Sequence, residues 1–173
     1  MTKIFIDGSQ GTTGLKIFDR LAKREDIELI TLPEDLRKDT NARKQALNSA
    51  DIAFLCLPDA AAIEAVSLIE NDNTIVIDTS TAHRTNDGWA YGFPELSEEF
   101  ETKLKNSNRI AVPGCYASGF IALVKPLVDA GIVDSDIYIA CHAMSGYSGA
   151  GKNGIAQYED ANRDVLLDAP REY

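Results

Sequence analysis

The chain has 173 residues and a formal net charge of −10, because 27 Asp and Glu outnumber 17 Lys and Arg. Hydrophobic residues are 45% and charged residues 25% of the sequence, which is ordinary for a globular protein. The acidic balance argues against nucleic acid or an anionic membrane as the partner, because both bind surfaces rich in Lys and Arg. No apolar run reaches the roughly 18 residues of a membrane span. The amino terminus shows no signal peptide, so a cytoplasmic protein is expected.

Short apolar runs of the β type alternate with helical patterns along the chain. The pattern predicts strands at residues 3–7, 27–32, 51–57, 74–78, 109–112 and 136–143. It predicts helices from the first glycine-rich loop to about residue 24, and at 41–49, 59–70, 96–105, 115–130 and from 153 onward. Val- and Ile-rich strands separated by helices predict an α/β fold with a doubly wound parallel sheet that carries helices on both faces.

A glycine-rich loop lies between the first strand and the first helix. Gly8, Gly11 and Gly14 form a G-x-x-G-x-x-G run there. Glycines let the backbone approach a pyrophosphate, and the N–H groups at the helix start bind the anion. A glycine turn without a ligand is the alternative for an isolated run of this kind. The strand–loop–helix order favours a dinucleotide site.

The loop after the second strand bears on the choice of dinucleotide. The end of that strand has no acidic residue, although a carboxylate there would bind the ribose 2′-hydroxyl of NAD. Glu34 and Asp35 follow closely, as do Arg37 and Lys38, which could meet a 2′-phosphate. We expect NADP(H) rather than NAD, and the alternative is that the four charges form a solvated loop.

Cys115 follows Pro113 and Gly114 at the start of a long apolar helix. The partial positive charge of a helix amino terminus stabilises a thiolate, and backbone N–H groups nearby can hold an oxyanion. Cys115 is therefore the candidate nucleophile, with a small buried residue as the alternative. Cys56 and Cys141 lie inside predicted strands and are expected to be inert core residues.

The remaining polar candidates follow the fourth and sixth predicted strands. His83 could be a base, although a loop histidine is more often solvated. Arg84 is the better candidate, since a fixed guanidinium binds phosphate through two hydrogen bonds, and a surface arginine is the alternative. His142 is next to Cys141, but adjacent strand residues point to opposite faces and cannot act as partners. Three cysteines without a C-x-x-C pair predict neither a disulfide framework nor a cysteine zinc site, and we expect no metal.

A second glycine-rich loop at residues 146–152 reads GYSGAGK and matches the G-x-x-x-x-G-K of a P-loop nucleotide triphosphatase. Two observations disfavour that function. Asn153 occupies the position where Ser or Thr should hold Mg²⁺. The Walker-B-like run at 74–78 also precedes the loop instead of following it. A triphosphatase that uses Gly146 to Lys152 remains the alternative function.

Four segments taken together resemble one enzyme family. They are GSQGTTG at 8–14, DTSTAHR at 78–84, VPGCYASG at 112–119 and MSGYSGAGK at 144–152. The segments are similar to those of the N-acetyl-γ-glutamyl-phosphate reductases of arginine biosynthesis and, more broadly, of the semialdehyde dehydrogenases, which include aspartate-semialdehyde dehydrogenase. The resemblance runs along the whole chain in order, and PGCYASG together with SGYSGAGK is its most specific part.

The resemblance implies an NADPH-dependent reduction of N-acetyl-γ-glutamyl phosphate to the semialdehyde through a cysteine thioester. Cys115 matches the family's nucleophile, and Arg84 matches the arginine that helps to hold the substrate phosphate. An aspartate-semialdehyde dehydrogenase-like reductase is a further alternative. The cofactor-binding candidates are Gly8, Ser9, Gly11, Thr12, Thr13, Gly14, Arg37, Ser80, Ser148 and Gly149.

The family's proteins are considerably longer than this chain. We therefore expect a Rossmann-like dinucleotide-binding domain at 1–114, followed at 115–173 by the beginning of an α+β catalytic and dimerisation domain. The family's catalytic histidine is expected beyond Tyr173, because neither His83 nor His142 lies in its motif. The chain alone is then expected to lack part of the catalytic machinery. The full-length protein is expected to form a homo-oligomer that acts on a small acyl phosphate.

Overall fold

A computed structural model describes residues 1–134 and 136–165, and for residues 147 and 148 the backbone alone. Its strands are β1 (Thr2–Asp7), β2 (Ile27–Ile30), β3 (Ile52–Leu55), β4 (Ile75–Asp78), β5 (Ala90–Tyr91) and β6 (Arg109–Ala111). They form one sheet in the order β2-β1-β3-β4-β6-β5, and every pair in it is parallel. The chain runs outward from β1 to β2 and then crosses back to β3, so the direction of winding reverses between β1 and β3. The predicted α/β fold is confirmed.

The helices of the described chain are α1 (Thr12–Leu21), α2 (Thr40–Ser49), α3 (Asp59–Ser67), α4 (Glu98–Lys105), α5 (Cys115–Asp129) and α6 (Gly151–Glu159). Two of them begin with a side-chain cap. Asp39 accepts the Ala42 N–H at 2.8 Å at the start of α2, and Ser97 accepts the Phe100 N–H at 3.4 Å at the start of α4. These bonds satisfy backbone donors that a helix start leaves without an intrahelical partner.

Side chains alternate along each strand, so the strands present apolar residues on both faces of the sheet. Helices cover these two faces. Ile4 and Ile6 of β1 pack with Phe18 and Leu21 of α1 on one face. Phe5, between them, points to the other face and packs in a second cluster that α2 and α3 complete. The buried members of that second cluster include Ala46, Leu47, Ala53, Leu55, Ala65 and Val76.

Two strand predictions differ from the structure. The sequence does not predict β5, whose two residues are too few to show an alternating pattern. The predicted strand at 136–143 is wrong, since these residues contain no strand and are exposed. A strand needs a neighbour for its backbone hydrogen bonds, and none of the strand pairings of the described residues involves this segment.

The described chain divides into two compact units, and the boundary in the sequence falls between residues 138 and 139. The predicted domain boundary between residues 114 and 115 stays a prediction. Helix α5 lies in the first unit, and none of its residues is buried. No helix among the described residues is both long and apolar enough to cross a membrane.

A buried ion pair ties α2 and α3 to the end of β1. Arg43 donates from Nε to Asp7 Oδ2 at 3.0 Å and from Nη1 to Glu64 Oε2 at 2.9 Å. Only 5% of Asp7 and 7% of Arg43 is exposed. Burial raises the pKa of Asp7, although the charge of Arg43 and its hydrogen bond oppose the rise. The guanidinium therefore compensates a carboxylate that lies directly before the first glycine-rich loop.

We expect Arg43→Met to destabilise the fold, because Asp7 stays buried without a cation. The free energy of unfolding should fall by about 3–5 kcal/mol at neutral pH, as measured by urea denaturation. A raised folded-state pKa means that the folded chain holds the Asp7 proton more tightly than the unfolded chain does. Stability is therefore lost as the pH rises through that pKa, and the damage should be smaller in mild acid.

The double variant Arg43→Met/Asp7→Asn is the matched control, because it removes both charges. It should recover part of the stability that Arg43→Met loses at neutral pH, and the loss that remains should vary less with pH than the loss in Arg43→Met does. A loss in Arg43→Met that is the same in mild acid and in mild base would contradict this account.

Candidate active site

The glycine-rich turn after β1 brings three segments of backbone close together. Gly8 has a φ of +83°, and a Cβ there would lie 2.2 Å from the carbonyl oxygen of Cys56. A Cβ on Gly14 would lie 2.3 Å from the carbonyl oxygen of Gly8. Gly11 precedes α1 and makes no side-chain cap, so the amino terminus of α1 is open to an anion. This is the backbone arrangement that binds a pyrophosphate.

A cleft of about 680 Å³ opens beside this turn, within the size range of small-molecule sites. It lies at the carboxyl ends of β1 and β2, and the turn contributes Gly8 and Ser9. Thr12 and Thr13 begin α1 next to the turn. Ligands of open α/β sheets bind in such a crevice, near the point where the winding reverses. Four charged residues that follow β2 also line the cleft, namely Glu34, Asp35, Arg37 and Lys38.

Asp78, at the carboxyl end of β4, is completely buried and organises the loop that follows it. Its Oδ1 accepts the Ser80 N–H at 2.9 Å, and its Oδ2 accepts the Ser80 hydroxyl at 2.6 Å. His83 Nδ1 lies 2.7 Å from Oδ2, and the imidazole stacks on Trp89 with 4.1 Å between the ring centroids. His83 is 6% exposed, so the expectation of a solvated histidine is wrong. The Ser80 hydroxyl, a predicted cofactor ligand, is thus a donor to Asp78.

Arg84 reaches from this loop to the start of α5. Its Nε donates to the Val112 carbonyl oxygen at 3.0 Å, and its Nη2 donates to the Thr79 carbonyl oxygen at 3.2 Å. A Cβ on Gly114 would lie 2.8 Å from Nη1, so glycine at this position makes room for the guanidinium. No carboxylate of the described residues forms a salt bridge with Arg84. The Arg84 guanidinium can therefore bind an anion next to Gly114, the residue before Cys115.

Cys115 is the first residue of α5, and its side chain is exposed. Gly114 precedes the helix without a side-chain cap, and the helical hydrogen bonds begin with Ser118 N–H donating to Gly114 O at 2.9 Å. The partial positive charge of the helix terminus therefore lies at the thiol. Because Cys115 is exposed, the alternative of a small buried residue does not apply. The structure thus brings Cys115 and Arg84 to the same end of α5.

The other two cysteines lie in different surroundings. Burial raises the pKa of the Cys56 thiol to about 11, which agrees with an inert residue. Cys141 is exposed, because the predicted strand around it does not form, so its expected place in the core is wrong. His142 is exposed as well. Among the described residues, no cluster of three or more His, Cys, Asp or Glu is arranged to hold a metal ion.

The second glycine-rich loop belongs to the second compact unit. A 3₁₀ turn spans Tyr147–Ala150, in which Gly149 N–H donates to Gly146 O at 2.8 Å, and α6 begins at Gly151. The side chain of Ser148 lies outside the described residues, and the roles of Ser148 and Gly149 stay predictions. A P-loop follows a strand directly, but the described residues from 136 to 146 contain no strand.

Comparison with protein families accounts for most of the chain. Residues 33–103 match the semialdehyde dehydrogenase NAD-binding domain, and residues 115–168 match the semialdehyde dehydrogenase dimerisation domain. The chain belongs to the semialdehyde dehydrogenase family. The family match covers the second glycine-rich loop, and nothing in these comparisons supports a P-loop triphosphatase.

Curated proteins that carry the name of a reductase are similar to nearly all of this chain. A protein of Chelativorans sp. named N-acetyl-γ-glutamyl-phosphate reductase is 52% identical over 163 residues, which are 94% of this chain and 53% of that protein. A Pseudomonas putida protein named N-acetyl-γ-glutamyl-phosphate reductase 2 is 54% identical over 156 residues, which are 90% of this chain and 50% of that protein. The chain therefore spans about half the length of the curated relatives it matches.

Solved structures of semialdehyde dehydrogenases share the fold. Aspartate semialdehyde dehydrogenase II from Vibrio cholerae, complexed with ASA, has a TM-score of 0.63 at 18% identity, covering 100% of this chain and 55% of that one. Aspartate semialdehyde dehydrogenase from Candida albicans, solved with NADP, has a TM-score of 0.53 at 16% identity, covering 77% of this chain and 48% of that one. At these identities the likeness concerns the fold alone.

We expect Cys115 to react with iodoacetamide about tenfold faster than Cys141, although both thiols are exposed, because only Cys115 lies at a helix amino terminus. Cys56 should react slowest, because burial keeps its thiol protonated. Timed alkylation followed by peptide mass spectrometry measures the three rates separately. Cys115→Ser is the control that assigns the fast phase. Equal rates for Cys115 and Cys141 would remove the case for an activated thiol.

Proposed function

We propose that this chain carries the cofactor cleft and the nucleophile of an NADPH-dependent reductase that converts N-acetyl-γ-glutamyl phosphate into its semialdehyde in arginine biosynthesis. The observation that carries the proposal is the Arg84 guanidinium, which forms no salt bridge with a carboxylate of the described residues and lies against Gly114, the residue before the exposed Cys115. A thiol and a cation at one helix terminus suit an acyl phosphate, which offers an electrophilic carbon and an anionic leaving group. The names of the 52–54% identical relatives favour the acetylglutamyl substrate over the aspartyl one.

The residues of the cleft fit a dinucleotide. Gly8 and Gly14 are positions where a Cβ would meet the chain's own backbone, so only glycine allows the tight turn 8–14. This turn leads into the amino terminus of α1, which no side chain caps and which suits a pyrophosphate. Arg37 and Lys38 line the cleft and would face a 2′-phosphate, which favours NADP(H) over NAD. When bound, NADPH supplies the hydride that reduces the acyl group on Cys115.

The chemistry of the chain's own residues begins at Cys115. Its thiolate attacks the γ-carbonyl carbon of the acyl phosphate, the bond from that carbon to the phosphate oxygen breaks, and a thioester remains. Arg84 balances the negative charge that grows on the departing phosphate. The positive end of α5 stabilises the oxyanion that forms on the carbonyl oxygen. After reduction, the carbon–sulfur bond breaks, the aldehyde leaves and Cys115 returns as a thiolate.

Two further parts of the proposal concern the full-length protein. The match of residues 115–168 to a dimerisation domain supports a homo-oligomer. We expect the acid–base histidine in the half of the relatives that this chain does not span, as the family resemblance implies, because neither His83 nor His142 lies in the family's motif. A biosynthetic reductase of this kind would act in the cytoplasm.

A fluorescence titration of the folded chain with NADPH, NADH and Mg-ATP tests the cofactor. We expect saturable binding of NADPH, weaker binding of NADH and no binding of Mg-ATP. The double variant Arg37→Gln/Lys38→Gln should weaken NADPH binding about tenfold or more, because it removes charged hydrogen-bond donors from the 2′-phosphate, and should leave NADH binding nearly unchanged. The matched control Glu34→Gln should not weaken NADPH binding. Binding of Mg-ATP alone would favour the triphosphatase instead.

Intact-mass spectrometry tests the covalent step. The wild-type chain mixed with N-acetyl-γ-glutamyl phosphate should accumulate a thioester when no reductant is added, and Cys115→Ser should form none. Arg84→Met should slow thioester formation by about 100-fold, because the leaving phosphate loses its cation. Arg109→Met is the matched control, since Arg109 binds the Thr74 carbonyl oxygen at the opposite end of β4. A thioester that forms equally fast in Arg84→Met would contradict the role of Arg84.

A further inference from the structure

Two carboxylates, Asp78 and Asp59, bind the loop that runs from Asp78 to Arg84. Buried Asp78 binds it from inside through Ser80 and His83. Asp59, at the start of α3, binds it from outside by accepting the Thr81 N–H at 2.9 Å and the Thr81 hydroxyl at 2.5 Å. These bonds hold the pKa of Asp59 below its ordinary value, with a smaller contribution from Arg84. The loop thus has little freedom on either side of Thr81.

His83 makes two different contacts in this loop. The edge of its imidazole, at Nδ1, lies 2.7 Å from Asp78 Oδ2, and its face stacks on Trp89 at an interplanar angle of 14°. Trp89 is 7% exposed and belongs to the large apolar cluster of the sheet. His83 therefore joins a buried carboxylate to the apolar core, and both contacts restrain the backbone at residue 83.

Arg84 is the next residue, and its side chain leaves from this restrained backbone. Nε and Nη2 bind carbonyl oxygens on two different strand ends, at Val112 and Thr79. Arginine has many rotamers, and a guanidinium that is held in advance loses less freedom when it binds an anion. The direction in which Arg84 leaves the backbone decides whether Nη1 reaches Gly114.

We propose that His83 is a positioning residue for Arg84. Its Nδ1–H bond to Asp78 is the main restraint on the backbone from which the guanidinium reaches the amino terminus of α5, and its stack on Trp89 is the smaller restraint. Histidine suits this place because one residue supplies both a donor for the buried carboxylate and a flat face for the indole. The inference rests on the proposed role of Arg84 as the phosphate-holding cation.

Two substitutions separate the two contacts of His83. His83→Asn keeps a nitrogen donor near the position of Nδ1, whereas His83→Phe keeps the stack on Trp89 and loses the donor. The first readout is the concentration of inorganic phosphate that halves the rate at which iodoacetamide alkylates Cys115, which we call half-protection. Chloride keeps the ionic strength equal in all samples. We expect half-protection to need about tenfold more phosphate in His83→Phe, and within about threefold of the wild-type concentration in His83→Asn.

The matched control is Thr74→Val. Thr74 is as buried as His83, and its hydroxyl donates to the Ala50 carbonyl oxygen at 2.9 Å at the opposite end of β4. This variant should lower the urea midpoint without changing phosphate protection. If folded His83→Phe is protected like the wild type, or if His83→Asn is impaired as much as His83→Phe, the bond to Asp78 does not position Arg84 and the proposal fails.

The second readout does not depend on phosphate. The Arg84 Nε–H resonance, identified by its loss in Arg84→Lys, should exchange slowly with water in the wild type and in His83→Asn, and rapidly in His83→Phe. Absence of phosphate protection in the wild type, together with this exchange pattern, would overturn the phosphate role of Arg84 and leave the positioning by His83 standing. Slow exchange in His83→Phe would overturn the positioning itself.

Discussion

Parallel pairing of the strands is the constraint on which the rest of the molecule depends. In a parallel sheet every carboxyl end lies at the same edge, so loops that are far apart in the sequence meet there. The glycine-rich turn after β1, the Asp78 loop after β4 and Cys115 after β6 all lie on this edge. The register places Asp78 opposite Ala111, and Val112 N–H donates to Asp78 O at 2.8 Å. This pairing brings the Asp78 loop within reach of the start of α5.

Two buried carboxylates end strands at this edge, and the chain satisfies each of them differently. Asp7 precedes the glycine-rich turn and is paired with Arg43, which also donates a hydrogen bond to Glu64. Asp78 precedes the loop that carries Arg84 and is satisfied by neutral donors and the His83 ring. Asp78 thus restrains the loop that follows it through its own hydrogen bonds, whereas Asp7 is bound by an arginine from α2. The cations that face the candidate site can then be left for an anionic ligand, even in a chain of net charge −10.

The predictable features are those that depend on neighbouring residues. The hydrophobic pattern located β1, α1 and the start of α5, and the glycine spacing located the turn at 8–14, since each follows from a local rule. The predictions for the segment 136–143 and Cys141 are wrong for a shared reason. Alternation of apolar residues describes a strand that has a partner, and it cannot say whether the partner exists. His83 was misjudged in the same way, because its burial depends on Asp78 and Trp89 together.

The sequence by itself determined the parallel α/β class, the glycine-rich turn after β1 and the helix start at Cys115. These features follow from periodicity, glycine stereochemistry and the Pro-Gly pair at 113–114. Only the tertiary structure decided that Arg84 binds the Val112 and Thr79 carbonyl oxygens and lies against Gly114, and that His83 joins Asp78 to Trp89. Arg84 and Val112 are 28 residues apart, and no local pattern encodes a contact over that distance. Such contacts come from strand order and register, which the chain acquires only when the sheet assembles.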